Sequence, residues 1–499
     1  ITIFGFHIVE NGREWSSPER MTNSEKIDNG KDNERTMLLY SAWSALLNGS
    51  ANWDNEYVRK QLNRSGMPKG PHLENCKLNV LTKVCLDSRS ENGSFPPWMM
   101  RKHSPDRYPS SRDGTILEGV YPPWIRGSDE ENYPFTRKVQ HDIWINQHPS
   151  NCSDPNVKFL VADWERQPNY GFGAQLVAMT GLLAIAIKEK RVLVTNYYNR
   201  ADHDGCQGPD HARWSCYFFP ETSPECRDRA FELMQRREAW EEGTVIGKEN
   251  YTSREMWAAK IPRIWGEPWS YMQPTTEING SLLFYHHKMD RRWWRAQAVR
   301  YLIRFQTDYT CSLLNAARHA AFGWEAARMV LAVPEDVRNE PRSEIEDIVW
   351  SDHRPWMPRP LLSMHVRIGD KAGEMKVVEF EEYMHLANRI RQQFPQVRSI
   401  WLSTEMQEVI EKTSLYPKWN FYYTKVSRQV GNMSMAAYEA SLGRKTSTNY
   451  PLVNFLMASE ADFFVGALGS TWSFLVDCMR NTGGKVMAGY LSVNKDRFW

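Results

Sequence analysis

The stretch Leu361–Tyr383, LLSMHVRIGDKAGEMKVVEFEEY, limits the fold more than any other, because an alternating apolar segment runs straight into a dense polar loop. Leu362, Met364 and Val366 alternate as in a strand, Gly369 and Gly373 mark a short loop, and Phe380, Met384 and Ala387 recur at helical spacing. Strand, loop and helix in that order form the unit of an open α/β sheet, where ligands bind at the carboxyl ends of the strands. His365, Arg367, Asp370, Lys371 and Glu374 all fall there. Arg367 carries a planar fork suited to phosphate, and Asp370 or Glu374 can orient or deprotonate a hydroxyl. The loop therefore holds the parts for group transfer from a phosphorylated donor. Singly, each residue has a structural alternative: a satisfied core histidine at a strand end, or an Arg367–Asp370 pair on a solvated rim. Five of them on one loop favour the functional reading.

The alternation continues to the end of the chain. Leu361–Val366, Ser399–Ser403, Asn420–Tyr423, Phe463–Val465 and Lys485–Ala488 read as strands, and Glu379–Gln392, Gln407–Ser414, Tyr450–Ala458 and Ser470–Arg480 as helices. This predicts a parallel, doubly wound sheet. Upstream, the strand Lys158–Asp163, a helix with Leu176, Met179, Leu183 and Ile187 on one face, and the strand Arg191–Tyr197 make a βαβ unit. Gly171 and Gly173 in its turn let backbone approach a ligand, and the helix N-terminus behind them favours an anion. The turn Gly469–Ser470–Thr471 opens the last helix and offers a second anion site. Thr136–Ile145 and Met37–Leu47 look helical. Arg291–Gln306 reads as a basic, Trp-rich helix whose Trp294, Val299, Leu302 and Ile303 pack between lobes while its arginines snorkel, with more helix to about Met329. The chain is expected to divide into a stem and accessory region (1–135), an N-terminal α/β lobe (136–332), a proline-rich linker or surface loop (333–360) and a C-terminal Rossmann-like lobe (361–499).

Composition narrows the class further. With 499 residues the chain can bury a large core, and a formal charge of +2 spread over interspersed acids and bases gives no field to recruit nucleic acid or an anionic membrane. The 21 tryptophans can stack on sugars, but for most of them core packing is the stronger expectation. Eight cysteines and seven N-x-S/T sequons, at Asn48, Asn63, Asn92, Asn151, Asn250, Asn279 and Asn432, point to an oxidising secretory compartment. No C-x-x-C occurs, so paired zinc knuckles are unsupported. Cys152 and Cys226 bracket the βαβ unit and are expected to pair; so are Cys206 and Cys216, which bracket a polar loop. Cys76 and Cys85 are expected to staple the N-terminal region in part. No apolar run is long enough to span a bilayer, and the chain opens ITIFGF without an initiator Met, as a trimmed chain or a fragment would.

HVRIGDKAGE followed by EEYM resembles the signature of the α1,6-fucosyltransferases. NQHPSNCSDPNVKFLVADW, NYGFGAQLVAMTGLLAIAIKEKRVLVTN, RRWWRAQAVRYLIRFQ and ASEADFFVGALGSTWSFLVDCM resemble further blocks of that family in the same order, covering roughly Val139 to Met479. The resemblance implies a two-lobed α/β fold of the GT-B type, with the lobe 136–332 on the acceptor side and the lobe 361–499 binding the nucleotide sugar. It also implies an inverting transfer of fucose from GDP-fucose to a glycan hydroxyl, of α1,6 type, without a metal or other cofactor. It implies a Golgi-luminal enzyme held in the membrane only by an anchor that this chain lacks.

Residue by residue, the resemblance implies donor contacts from His365, Arg367, Gly171, Gly173, Gln175, Asn454, Gly469, Ser470 and Thr471. Arg367 matches the phosphate-binding arginine and Glu374 the catalytic base; this loop is one residue shorter than the family's, which leaves Asp370 as the competitor for the base. Asp370, Lys371, Tyr383 and Glu405 match acceptor-side positions. Two departures stand out: Ile368 replaces a second arginine, and Asn454 replaces an aspartate that accepts two guanine N–H bonds, whereas an amide has one acceptor oxygen. Two rivals stand beside this reading. Asp202–His203–Asp204 is the short signature of metal-dependent transferases that use another nucleotide sugar, and the two departures would suit a glycan-binding or structural protein on a decayed transferase fold.

Overall fold

A computed structural model describes residues 7–8, 23–48, 70–87, 133–164, 171–258, 261–272, 276–278, 281–282, 289–332, 357–373, 375–431, 433–482 and 490–494. The parallel, doubly wound α/β architecture is as expected. Seven described strands form the larger sheet in the order Ser281–Leu282, Thr276–Ile278, Tyr490–Ser492, Phe463–Gly466, Leu361–His365, Ser399–Ser403, Asn420–Tyr422. Every neighbouring pair is parallel except the hairpin at the Ser281–Leu282 edge. From Leu361–His365 the chain steps outward through Ser399–Ser403 to Asn420–Tyr422, then returns to lay Phe463–Gly466 on the other side. The strand order therefore reverses between Leu361–His365 and Phe463–Gly466. In such sheets the connections diverge at this point and leave a crevice at the carboxyl ends of the two strands.

The smaller sheet is parallel, in the order Arg191–Thr195, Lys158–Ala162, Val245–Gly247. Its helix Phe172–Lys188 is apolar nearly all round and buried almost throughout, as a helix enclosed on every side must be. Gly181 on that helix is required by close packing: a Cβ there would lie 1.8 Å from the Met256 carbonyl oxygen. Helix Met289–Leu302 packs against both Phe172–Lys188 and Thr471–Thr482, with Trp293, Trp294, Val299 and Leu302 buried, and so joins the two lobes as the sequence pattern predicts. Its arginines do not all snorkel. Arg292 is buried and reaches the Asp477 carboxylate, the Tyr133 hydroxyl at 3.2 Å and Thr276 Oγ1 at 2.6 Å.

Residues 136–332 are not one lobe, because Thr276–Ile278 and Ser281–Leu282 cross over and join the larger sheet. A three-residue strand carries too little periodicity to be read from sequence. The expected strand Lys485–Ala488 lies outside the described residues, and Tyr490–Ser492 takes the place beside Phe463–Gly466. Most of the region 1–135, and the segment 333–356, also lie outside them. Helices Asn23–Asn48 and Cys76–Leu86 rest on helix Asp308–Ala332. No helix among the described residues is long and apolar enough to cross a membrane.

The pairs Cys152–Cys226 and Cys206–Cys216 form, with Cα separations of 4.9 and 5.6 Å. Cys76 pairs with Cys311 rather than with Cys85, tying the N-terminal region to helix Asp308–Ala332 across 235 residues of sequence. Sequence proximity misleads here because Cys76 opens a helix whose neighbour in space is Asp308–Ala332. Peptide mapping without reduction should recover these three linked pairs, and a Cys76–Cys85 peptide would contradict the arrangement.

Candidate functional site

A cleft of 420 Å³ opens at the strand-order reversal, between the two lobes. The strand ends supply His365, Arg367, Ser403, Thr404 and Glu405; the turn Gly469–Ser470–Thr471 supplies its backbone; Gly171, Phe172 and Gly173 close it from the other lobe. Lys371, Met375, Met435, Glu439, Tyr450, Asn454, Trp257 and Trp472 complete the walls. Ten of the residues expected at the site therefore meet in one cavity although they lie as far apart in sequence as Gly171 and Thr471.

Three helices begin at this cleft: Phe172–Lys188, Met435–Glu460 and Thr471–Thr482. None has an acidic residue in its own first turn, and Phe172–Lys188 and Thr471–Thr482 present the positive ends of their dipoles; at Met435–Glu460 the Met435 N–H is taken by the Asp370 carboxylate and the Ala437 N–H by Ser434 Oγ. The lining carries two cations, Arg367 and Lys371, and two carboxylates, Glu405 and Glu439, so an anion would be held by particular groups and helix N-termini rather than by a net positive wall. Gly173 allows the lobes to approach closely, and Gly469 allows the same within the C-terminal lobe. A Cβ on Gly173 would lie 3.1 Å from the Trp472 ring, and one on Gly469 would lie 2.8 Å from Met375 Cβ.

Arg367 is 5% exposed and lies between two carboxylates, Glu405 and Asp370, the latter at 2.9 Å from Nη2. The Arg367–Asp370 pair expected of a solvated rim does form, but its Arg367 end is buried and lines the cleft, where a held guanidinium keeps its fork oriented. Asp370 is fully engaged: Oδ1 takes Arg367 and Oδ2 accepts the Met435 N–H at 3.1 Å. It is not among the cleft-lining residues. Glu405 is buried as a partner of Arg367 and not arranged as a free acceptor-side group. Tyr383 is buried under the loop, its hydroxyl accepting the Arg367 N–H at 3.4 Å; burial raises its pKa, so it remains protonated. Gln175 also stands back from the cavity: its Oε1 accepts from Arg200 Nε at 2.8 Å and its Nε2 donates to Asn199 Oδ1 at 3.1 Å. Glu374 lies outside the described residues.

Two buried oxygens in the cleft have no partner within the described chain: Asn454 Oδ1 and Ser403 Oγ. Asn454 Nδ2 donates to Thr424 Oγ1 at 3.3 Å, which fixes the amide with its acceptor unused. A buried acceptor without a partner costs free energy that a ligand N–H can recover. The D-x-D carboxylates face elsewhere. Asp202 takes the Tyr197 hydroxyl and Arg444, and Asp204 takes Lys445 at 3.1 Å. Among the described residues no group of His, Cys, Asp and Glu has the arrangement to hold a metal ion.

His365 contacts Ser473 Oγ through Nδ1 at 2.8 Å, and burial, reinforced by the Arg367 charge, holds its pKa down at about 3. Burial likewise holds His203 and His319 down at about 4. In the unfolded chain all three titrate near the ordinary histidine value of 6.5, so below that pH the unfolded state binds protons that the folded state refuses. Their contribution to stability is complete above the unfolded value and is lost as pH falls toward the folded ones. Thermal melts taken from about pH 7.5 down to about pH 4.5 should show a falling midpoint, and a flat series would contradict the buried neutral histidines.

Sequence reasoning missed Arg200, Glu439, Ser403, Trp257 and Trp472. Arg200 follows the strand Arg191–Thr195 and Ser403 ends the strand Ser399–Ser403, so the strand-end rule that singled out His365 could have found both.

Fold and site together define a two-lobed α/β protein with a polar cleft at the switch point of its larger sheet. No protein-family model matches the chain, and no curated protein matches it in sequence. Among solved structures it is similar to NodZ alpha-1,6-fucosyltransferase co-crystallised with GDP, at 14% identity over 65% of this chain and 92% of that one, with a TM-score of 0.31. It is also similar to a mutant of Arabidopsis thaliana FUT1 in complex with GDP, at 12% identity over 71% and 75%, TM-score 0.29. A third is POFUT1 in complex with GDP-fucose, at 12% identity over 68% and 99%, TM-score 0.28.

Proposed function

We propose that the chain is an inverting, metal-independent fucosyltransferase of α1,6 type that moves fucose from GDP-fucose to a glycan hydroxyl, working in the Golgi lumen. The observation that carries this reading is the convergence of Arg367 and the N-termini of helices Phe172–Lys188 and Thr471–Thr482 on one interlobe cleft with an unused, buried acceptor at Asn454. The three disulfides suit the secretory setting.

In the reaction the acceptor oxygen attacks C1 of fucose as the bond from C1 to the β-phosphate oxygen breaks. The bonding pair leaves with GDP, and the acceptor proton passes to a carboxylate, assigned to Glu374. Arg367 and the helix N-termini at Phe172 and Thr471 stabilise the charge that grows on the diphosphate. Transfer of labelled fucose to an array of N-glycan cores and chitin-like oligosaccharides, with and without chelator, tests this. Transfer that survives chelation is expected. Absence of both transfer and donor hydrolysis with every nucleotide sugar would leave a glycan-binding protein instead.

Asn454 sets a second expectation. Its Oδ1 can accept the guanine N1–H but not the amino group as well, so inosine diphosphate should bind within a few-fold of GDP. Asn454→Asp restores a second acceptor with charge, and should favour GDP over inosine diphosphate by on the order of tenfold. Calorimetric titration of both nucleotides reads this directly; strong preference for GDP in the unaltered protein would remove Asn454 from the base site.

A further inference from the structure

Residues 435–442 form one wall of the cleft and are bounded by glycines in left-handed backbone, Gly431 at φ +75° and Gly443 at φ +72°. Gly443 breaks the helix Met435–Glu460, and its ψ of 161° places it in a region that only glycine occupies without strain. The wall touches its own lobe through the Met435 N–H on Asp370 and the Tyr438 hydroxyl donating to the Ser427 carbonyl at 2.9 Å. Across the cleft, among the described residues, an ion pair holds it, Glu439 Oε2 to Arg200 Nη2 at 2.7 Å.

Arg200 is buried and serves both sides. Its Nε holds Gln175 at 2.8 Å, and its guanidinium lies 5.9 Å from the centre of the cleft-lining Phe172 ring. One side chain thus braces the Gly171–Gly173 turn and grips the opposite wall. Beyond Gly443 the D-x-D loop is fastened separately, Asp202 to Arg444 and Asp204 to Lys445. The motif that resembled a metal signature therefore anchors the far side of the glycine break, where Arg200 Nη1 also reaches the Ser447 carbonyl at 3.4 Å, while on the near side Arg200 grips Glu439.

We propose that Arg200 is a positioning residue for the transfer: the Arg200–Glu439 pair latches residues 435–442 across the donor cleft, and the nucleotide sugar enters and leaves when this latch opens at Gly431 and Gly443. The proposal rests on the reading of the cleft as a nucleotide-sugar site. An ion pair suits a latch, since each charge can return to water on opening. The wall also senses the donor. Asp370 binds both Arg367 and the first N–H of the wall helix, so a phosphate competing for Arg367 acts on the wall's other anchor.

Hydrogen exchange on the unliganded full chain tests the latch without assuming the ligand. Glu439→Gln and Arg200→Gln should each speed exchange of amides in 433–443 by on the order of tenfold while leaving strand Leu361–His365 unchanged, and the double variant should add little to either. Unchanged exchange at 433–443 in Glu439→Gln overturns the proposal. Glu439 is the less buried partner, so this variant decides the matter if Arg200→Gln fails to fold. With GDP, both variants should release the nucleotide about tenfold faster, raising KM for the donor more than they lower kcat, and Arg200→Lys should recover part of the loss. If the unaltered protein binds no GDP, the functional reading fails, and the exchange result still decides the latch.

Discussion

Arg367→Ala should reduce turnover by at least about 10²–10³, the scale for losing one donor to charge that develops in the transition state. Two losses coincide in this variant. The leaving diphosphate forfeits its charge-assisted contact, and Glu405, 4% exposed, is left as a buried carboxylate without its partner. The second loss threatens the fold, since breaking a buried pair typically costs about 3–5 kcal/mol. Arg367→Lys separates the two. An ammonium keeps a positive charge opposite Glu405 but cannot hold Glu405, Asp370 and a phosphate together, so the variant should melt near the unaltered protein and remain slow. Steady-state rates with GDP-fucose beside thermal melts measure both effects, and an alanine variant that folds and turns over normally would remove Arg367 from the mechanism.

The legible parts of this fold are those where a pattern repeats. Leu361–His365, Ser399–Ser403 and helix Phe172–Lys188 declare themselves through alternation or a continuous apolar run, and the structure places them within a residue or two of expectation. What stayed hidden has no local period. Thr276–Ile278 joins the larger sheet through three backbone pairings, and its Glu277 meets Arg389 from a helix more than a hundred residues later. Cys311 carries no mark of Cys76, because the helix packing that brings them together is set by surfaces elsewhere.

The site divides in the same way. Residues on strand ends and glycine turns, such as His365, Arg367, Gly171 and Ser470, were readable because their position follows from the chain order of an α/β sheet. Side-chain direction was not. Gln175 and Tyr383 sit at the expected places in sequence but turn inward, to Arg200 and to the Arg367 backbone, and act on the cleft only through those partners. Glu439 was invisible because it belongs to no motif; only the break at Gly443 aims its helix across the cleft.

That same inward turning separates the two candidate bases. Asp370 commits both oxygens, one to Arg367 and one to the Met435 N–H, so taking a proton there would loosen the floor and one wall of the site together. Asp370→Asn should therefore weaken GDP binding and raise KM for the donor, since the amide keeps one acceptor but repels the guanidinium with its N–H₂. Glu374→Gln should do the reverse, keeping GDP affinity while cutting the rate by a factor on the order of 10²–10⁴, as removal of a general base does. Single-turnover rates with bound donor and saturating acceptor distinguish chemistry from binding. If the chemical step collapses in Asp370→Asn and survives in Glu374→Gln, the proton goes to Asp370, and Arg367 must release that carboxylate when the diphosphate arrives.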